Sequence, residues 1–277
     1  MTTNHTAQLA WRTAFAATLV LGAACSSVSQ EQEVQMGQQT AQQVNAQLPM
    51  LRDATVDAYI NSLGRTIAHT TSRADLDWHF AVVNSDVINA FALPGGFVYV
   101  NRGVISRASN ESELAGVLGH EIEHVVRRHS VKQMENAQGA NIGVALTCAL
   151  TRVCENQAAQ AAIQVGGTAV FAKFSRGDEQ QADEGGFNNV TRTGINPHGM
   201  LTFFEKLLAD EQNRGSQNTS AWFADHPGTE DRIADIQRLL NEQGASRRTG
   251  LRTDSQSFEN VKRRVGQLPA APRTPQR

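Results

Sequence analysis

Long apolar runs, net charge of either sign, cysteine and internal repeats are all scarce in this chain, and each scarcity excludes something. No apolar stretch reaches the roughly 18 residues that a membrane-crossing helix needs, so the body of the chain is expected to be soluble and globular. Lys+Arg at 25 against Asp+Glu at 27 gives a net charge of -2, which leaves no basic field to hold a nucleic-acid backbone. Nucleic acid is therefore not an expected partner. Charged residues at 19% are too few for a wholly disordered chain, and hydrophobic residues at 40% suffice for a core. With no repeat period in the sequence, a solenoid or propeller is not expected.

What is present begins with an address. Arg12 precedes a run of small and apolar residues that ends in Leu21-Gly22-Ala23-Ala24-Cys25, followed by a Ser/Gln-rich segment. This has the pattern of a secretory signal peptide over residues 1–24. The terminal cysteine resembles a bacterial lipobox, in which Cys25 is lipidated and becomes the mature N-terminus. Gly22 stands where the usual Leu would be, with Leu21 one place back, which leaves open cleavage after Ala24 by the ordinary signal peptidase. Three cysteines are an odd number for an exported protein. Lipidation of Cys25 would leave Cys148 and Cys154 to pair, or to stay as free thiols. Ser26 and Ser27 carry no Asp retention signal, which points to the outer membrane, facing the periplasm, with the lipid as the only membrane contact.

The remainder reads as mostly helical. A Gln-rich segment from Val34 to Met50 is expected to form a helix on the outside of the domain. Val56, Tyr59, Ile60, Leu63 and Ile67 recur at helical spacing. Residues 78–83 alternate as a short strand with one face buried, and Ala90 to Val100 form a second strand interrupted by Pro94-Gly95-Gly96. Proline belongs on an edge strand or at a bulge, so Ala92, Gly95, Gly96 and Phe97 are expected on an open edge where an extended peptide can add itself as another strand. Asn110 followed by Glu113 caps a helix through Leu114, Val117, Leu118, Ile122 and Val125, expected to continue towards Asn136. Two helices are expected between Gly139 and Phe174, another over residues 178–192, one opened by Pro197 and one after His226-Pro227. The C-terminal part holds eight basic residues against two acidic from Gly244 onward, read as a solvated surface. The expected organisation is a polar linker or helix at 25–50, the catalytic domain at 51–244, a docking segment at 245–268 and a loose tail at 269–277.

Chemistry concentrates at His120-Glu121-Ile122-Glu123-His124. Spacing of four puts both imidazoles on one helix face, one turn apart, where they can share a zinc ion with Glu121 beside its water. Small residues at Gly116 and Gly119 allow another backbone to approach. A third protein ligand is required. His129 follows His120 by nine residues, whereas the metzincin pattern needs a His at ten and a Gly at seven, where this chain has Ser130 and Arg127. The alternative is a carboxylate from Glu179-Gln180-Gln181-Ala182-Asp183, which puts two acids on one face. Glu179 can ligate while Asp183 hydrogen-bonds the far nitrogen of a ligating His. Spacing alone leaves Asp178 and Glu184 open. His69, His79 and His198 have no ligand spacing, His5 belongs to the signal peptide, and His129 is expected to hydrogen-bond at the end of the active helix.

Four motifs in order carry a family resemblance: the strand from Asn89 to Val100, the HExxH helix ending in Arg128-His129-Ser130, Glu179-x-x-Ala182-Asp183, and His226-Pro227 with Arg232. From about Val34 to Leu268 the chain resembles the zinc metallopeptidase family that contains HtpX and the CAAX prenyl proteases, in its branch of periplasmic lipoproteins of the BepA, LoiP and YcaL type. The resemblance implies a mainly helical α+β gluzincin domain with a small edge-exposed sheet. It also implies one zinc on His120, His124 and Glu179, with Glu121 as base and Asp183 behind a ligand. The transmembrane helices of HtpX and the repeat array of BepA have no counterpart here, so membrane embedding and repeat-mediated binding are not expected. A transition-state oxyanion needs a donor, for which His226 or Arg232 is the candidate. His226 has a rival role, occupying the open zinc position and holding the enzyme latent. The expected activity is hydrolysis of misfolded or stalled envelope polypeptides. The alternative is a chaperone or assembly factor for outer-membrane proteins with a latent zinc site.

Overall fold

The computed structural model describes residues 28–138, 174–214, 222 and 226–272. The signal peptide, Cys25, Cys148, Cys154, the helices expected after Gly139 and the last tail residues lie outside them. In chain order the described elements are α1 (Gln30–Gln47), α2 (Ala54–Ala68), β1 (His79–Val83), β2 (Ala90–Leu93), β3 (Phe97–Asn101), α3 (Arg102–Arg107), α4 (Glu111–Val126), α5 (His129–Gln138), α6 (Arg176–Arg192), α7 (His198–Arg214), α8 (Thr229–Gln243), α9 (Ala245–Arg248) and α10 (Gln256–Gln267). The class is mainly helical α+β with one three-stranded sheet. No described helix is long and apolar enough to cross a membrane.

The sheet has the order β1-β3-β2, with β1 parallel and β2 antiparallel to the central β3. Residues 90–100 are thus a hairpin and not one interrupted strand. Gly95 (φ 77) and Gly96 (φ 103) adopt left-handed backbone that reverses the chain, and the Gly95 amide donates to the Glu33 carboxylate of α1. Only part of the expected peptide-accepting edge survives. Ala92 lies on the outer strand, Gly95 and Gly96 lie in the turn, and Phe97 is on the central strand, paired with His79 on one side and Leu93 on the other.

Side chains alternate across the sheet with period two. Phe80, Val82, Ala90, Ala92, Val98 and Val100 join the main core with α2 and α4. Phe91, Leu93 and Tyr99 face Ala41 and Val44 of α1 in a second cluster. The sheet is therefore covered on both faces at β2 and β3, while β1 keeps the one-sided burial expected at residues 78–83: Trp78, Phe80 and Val82 are buried, His79 is exposed and Ala81 half-buried, and only Val83 is buried on the second face. The second cover is α1, whose Ala41 and Val44 come to the sheet from far away in sequence.

Helix α4 is the central element. Asn110 caps it by accepting from the Glu113 amide, and all its residues from Glu111 to Val125 are buried. It does not run on to Asn136. Arg128 takes a left-handed conformation (φ 58), which costs a non-glycine residue about 1–2 kcal/mol, and α5 starts afresh at His129. The turn is held by Arg128 Nε donating to Glu33 Oε2 at 2.8 Å. Around α4 pack α2 and the sheet on one side and α6 and α7 on the other, with α8 closing over α6 and α7. Helix α10 docks on α2 and α3 through Phe258, Val261 and Val265.

Candidate metal centre

Close packing of α4 on α6 builds the site. A Cβ on Gly119 would lie 2.8 Å from Val190 Cγ2, and one on Gly186 would lie 2.9 Å from the backbone of Gly119. The two helices meet where only glycine fits, and Gly116 lets α7 approach at Met200 in the same way. Ser175 caps α6 in a reciprocal pair with Asp178, so Glu179 and Asp183, one turn apart, both face α4. His226 and Arg232 arrive together just before and within the first turn of α8.

Ligand atoms of His120, His124, Glu179 and His226 all lie within 4.8 Å of one another, and all four side chains are buried. His120 Nε2 is 3.0 Å from His124 Nε2, 3.2 Å from His226 Nδ1 and 3.4 Å from Glu179 Oε2. Glu179 Oε1 is 3.6 Å from His124 Nε2 and 3.1 Å from His226 Nδ1. A tetrahedral zinc with bonds near 2.0–2.1 Å would set its donors about 3.3 Å apart. The chemistry of the set points the same way. Asp183 is held ionised, so His120 Nδ1 donates to its Oδ1 at 2.8 Å, and its Nε2 is turned towards the other donors. A cation bound there would displace the proton that Nε2 otherwise carries.

Electrostatics follow from burial and from the neighbouring charges. For His120, burial and the Arg232 charge push its pKa down, but the hydrogen bond and charge of Asp183 and the bond to Glu179 prevail and lift it to about 9. His124 is pushed well down by burial and by the charge of His120. Burial would raise Glu179 and Asp183, yet the charges of His226 and Arg232 on Glu179, and of Arg232 on Asp183, hold both below the usual carboxylate range. Glu121 goes the other way. Burial raises it, with the His226 and His120 charges opposing, and both of its oxygens lack a hydrogen-bond partner. A buried carboxyl with a raised pKa and free lone pairs beside a metal position is suited to accept a proton from water.

The residues singled out from sequence therefore meet in one place, with a further part for Arg232. Its Nε and Nη2 grip Asp183 at 2.7 Å each, and its Nη1 lies 2.9 Å from Glu179 Oε2. Two of its nitrogens are taken by Asp183, so it orients ligands, while Nη1, close to Glu179 but without a hydrogen-bond partner, stays available as a donor. His226 sits in the donor cluster itself, with Nε2 3.5 Å from Glu121. Asp178 is not a donor; it caps α6 and lies 3.6 Å from His129. Two ring stackings have little signal in the sequence, and a third contact agrees with the hydrogen bond expected of His129 at the end of α4. Trp222 stacks on His226 (4.4 Å, 26°), signalled only by its spacing of four. Phe174 stacks on His124 (4.0 Å, 28°). His129 Nδ1 meets His124 Nδ1 at 2.9 Å.

Comparison with known proteins returns proteases. The chain is 35% identical over 224 residues to the beta-barrel assembly-enhancing protease of Escherichia coli K12, covering 78% of this chain and 45% of that one. It is 28% identical over 229 residues to the mitochondrial metalloendopeptidase OMA1 of Schizosaccharomyces pombe, covering 81% and 66%. It is 30% identical over 167 residues to the metalloprotease LoiP of Escherichia coli K12, covering 60% and 64%. The chain thus spans about half the length of the beta-barrel assembly-enhancing proteases it matches. The pattern of peptidase family M48 matches residues 54–240, the stretch that runs from α2 through α8 and carries every donor of the buried cluster. On that match, the chain belongs to peptidase family M48.

Proposed function

We propose that this chain is a zinc-dependent endopeptidase acting on misfolded or stalled polypeptides of the bacterial envelope. One observation carries this proposal: two histidines, one glutamate and a buried Glu121 whose oxygens lack a hydrogen-bond partner converge in a buried site whose donor spacing suits zinc. Zinc, when bound, supplies a Lewis acid for the scissile carbonyl and acidifies an attacking water. Glu121 takes the water proton and later delivers it to the leaving amine. Asp183 and Arg232 hold His120 and Glu179 in place from behind. An extended substrate would lie along β2 (Ala90–Leu93), which has no strand on its outer side among the described residues. The signal-like start and Cys25 argue for a periplasmic, lipid-anchored protein. The printed name of the first relative, a beta-barrel assembly-enhancing protease, supports substrates among envelope proteins.

The position of His226 favours a second reading alongside the first. With Nδ1 3.1–3.2 Å from Glu179 and His120, it fills the fourth donor place that a reacting water needs, which suits a latent enzyme or an assembly factor. Casein cleavage by the purified chain, beside Glu121→Gln and His226→Ala, tests both. Wild-type cleavage lost in Glu121→Gln and increased in His226→Ala supports a protease that rests latent. Cleavage lost in His226→Ala supports a transition-state role, and an envelope phenotype that survives Glu121→Gln removes proteolysis as the main task.

A further inference from the structure

We propose that His129 is the positioning residue of the second histidine donor: its Nδ1 accepts the far-side N–H of His124 and so keeps the Nε2 lone pair of that ring turned towards the zinc. This rests on the zinc reading above. His124 Nε2 faces His120 Nε2 and Glu179, while its Nδ1 points away, 2.9 Å from His129 Nδ1. Two imidazole nitrogens at that distance share one hydrogen, so one ring donates and the other accepts. If His129 donated, His124 would carry its hydrogen on Nε2, aimed into the donor cluster, where no metal could then be ligated. His124 must donate. The hydrogen of His129 then sits on Nε2, a buried atom without a hydrogen-bond partner that faces Asp178 Oδ1 at 3.6 Å.

The backbone is built to bring this ring in. In an uninterrupted helix, a residue five positions after His124 would lie about 140° around the axis, facing elsewhere. The left-handed Arg128 breaks α4 and swings His129 back against His124, where it is 1% exposed. Glu33 of α1 holds that break through Arg128, and also takes both terminal nitrogens of Arg73. Phe174 fixes the plane of the His124 ring by stacking, but an apolar face cannot choose which nitrogen carries the hydrogen. The two donors are therefore backed differently: His120 by a carboxylate locked to Arg232, His124 by a neutral imidazole.

The test is zinc affinity of the purified full chain, measured by competition with a chelator, for wild type, His129→Gln and His129→Leu, beside the melting temperature of each metal-free protein. Groups behind metal ligands typically contribute about 10–100-fold in affinity. His129→Leu is expected to lose that much, and His129→Gln to recover most of it, because its amide oxygen accepts the same hydrogen. Wild-type affinity in His129→Leu, or no recovery in His129→Gln at an equal melting temperature, overturns the proposal. Should His129→Leu fail to fold, histidine 15N NMR of the zinc-loaded wild type decides: protonated Nε2 and bare Nδ1 on His129 are expected, and the reverse overturns it. A wild type that takes up no zinc sinks the zinc reading itself, whereas a zinc-binding wild type with indifferent variants sinks only the role of His129.

Discussion

Two stretches of α4 both bury charge, and they treat it in opposite ways. At the first turn, Glu111 accepts from Tyr59, Ser255 and Arg252, and Glu113 accepts from Thr202, Lys206 and the Ser109 amide. Near the end, Glu123 pairs with Arg127 and Asn189. Between them, Glu121 is equally buried and has no hydrogen-bond partner on either oxygen, with only the His226 ring 3.5 Å away, beside imidazoles that converge on one point. Paired carboxylates on this helix tie neighbouring elements to it, since leaving buried partners unmet is costly. The unpaired one marks where the helix carries chemistry, because folding alone would not keep a buried carboxyl without donors.

The comparison breaks most visibly at Glu121. Glu121→Gln is expected to lower peptide hydrolysis by about 10²–10⁴-fold while zinc content stays at the wild-type level, read by metal analysis and a cleavage assay. Next comes Gly119→Val, which forces α4 from α6. Overpacking of this kind costs about 1–3 kcal/mol, and both melting temperature and zinc affinity should fall, since the same contact places Glu179. Glu111→Ala should cost a comparable or smaller amount, about 1–3 kcal/mol, by freeing Tyr59 and Arg252. Its kcat per folded molecule should match wild type, which separates the structural turn from the chemical one.

The smallest effect is expected at Asp53, which caps α2 and binds Arg264 of α10. Asp53→Ala should lose about 1 kcal/mol with activity intact. Burial would raise this carboxyl, but the Val56 and Thr55 amides and the Arg264 charge hold it below its usual value. Its contribution is therefore present above about pH 4 and lost as pH falls through the depressed value. Urea unfolding of wild type and Asp53→Ala at pH 7 and pH 3 should show the gap closing in acid.

Much of the site was legible because it is written in short spacings. His120 and His124, Glu179 and Asp183, and His226 and Arg232 each lie within two turns of one another in sequence, and one helix or one turn carries each pair into place. The α4 cap at Asn110 was legible for the same reason. What sequence concealed depends on distant partners. The apolar pattern from Val125 to Val131 runs on as if α4 continued, and the break at Arg128 is secured by Glu33, 95 residues away. Glu33 itself looks like one more polar residue in a Gln-rich helix, yet it is fully buried. Phe97 reads as an edge residue until β1 pairs with β3 in parallel and leaves β2 outermost. The placement of His129 against His124 inherits the same difficulty, since it exists only once the helix has broken.

The central claim is that His120, His124 and Glu179 together hold one zinc ion. The most direct test is zinc content per chain after dialysis against a weak chelator, for wild type and Glu179→Ala, with circular dichroism confirming that both are folded. One zinc per wild-type chain and almost none in Glu179→Ala is the predicted result. Full zinc retention in folded Glu179→Ala, or a folded wild type that holds no zinc, would contradict it.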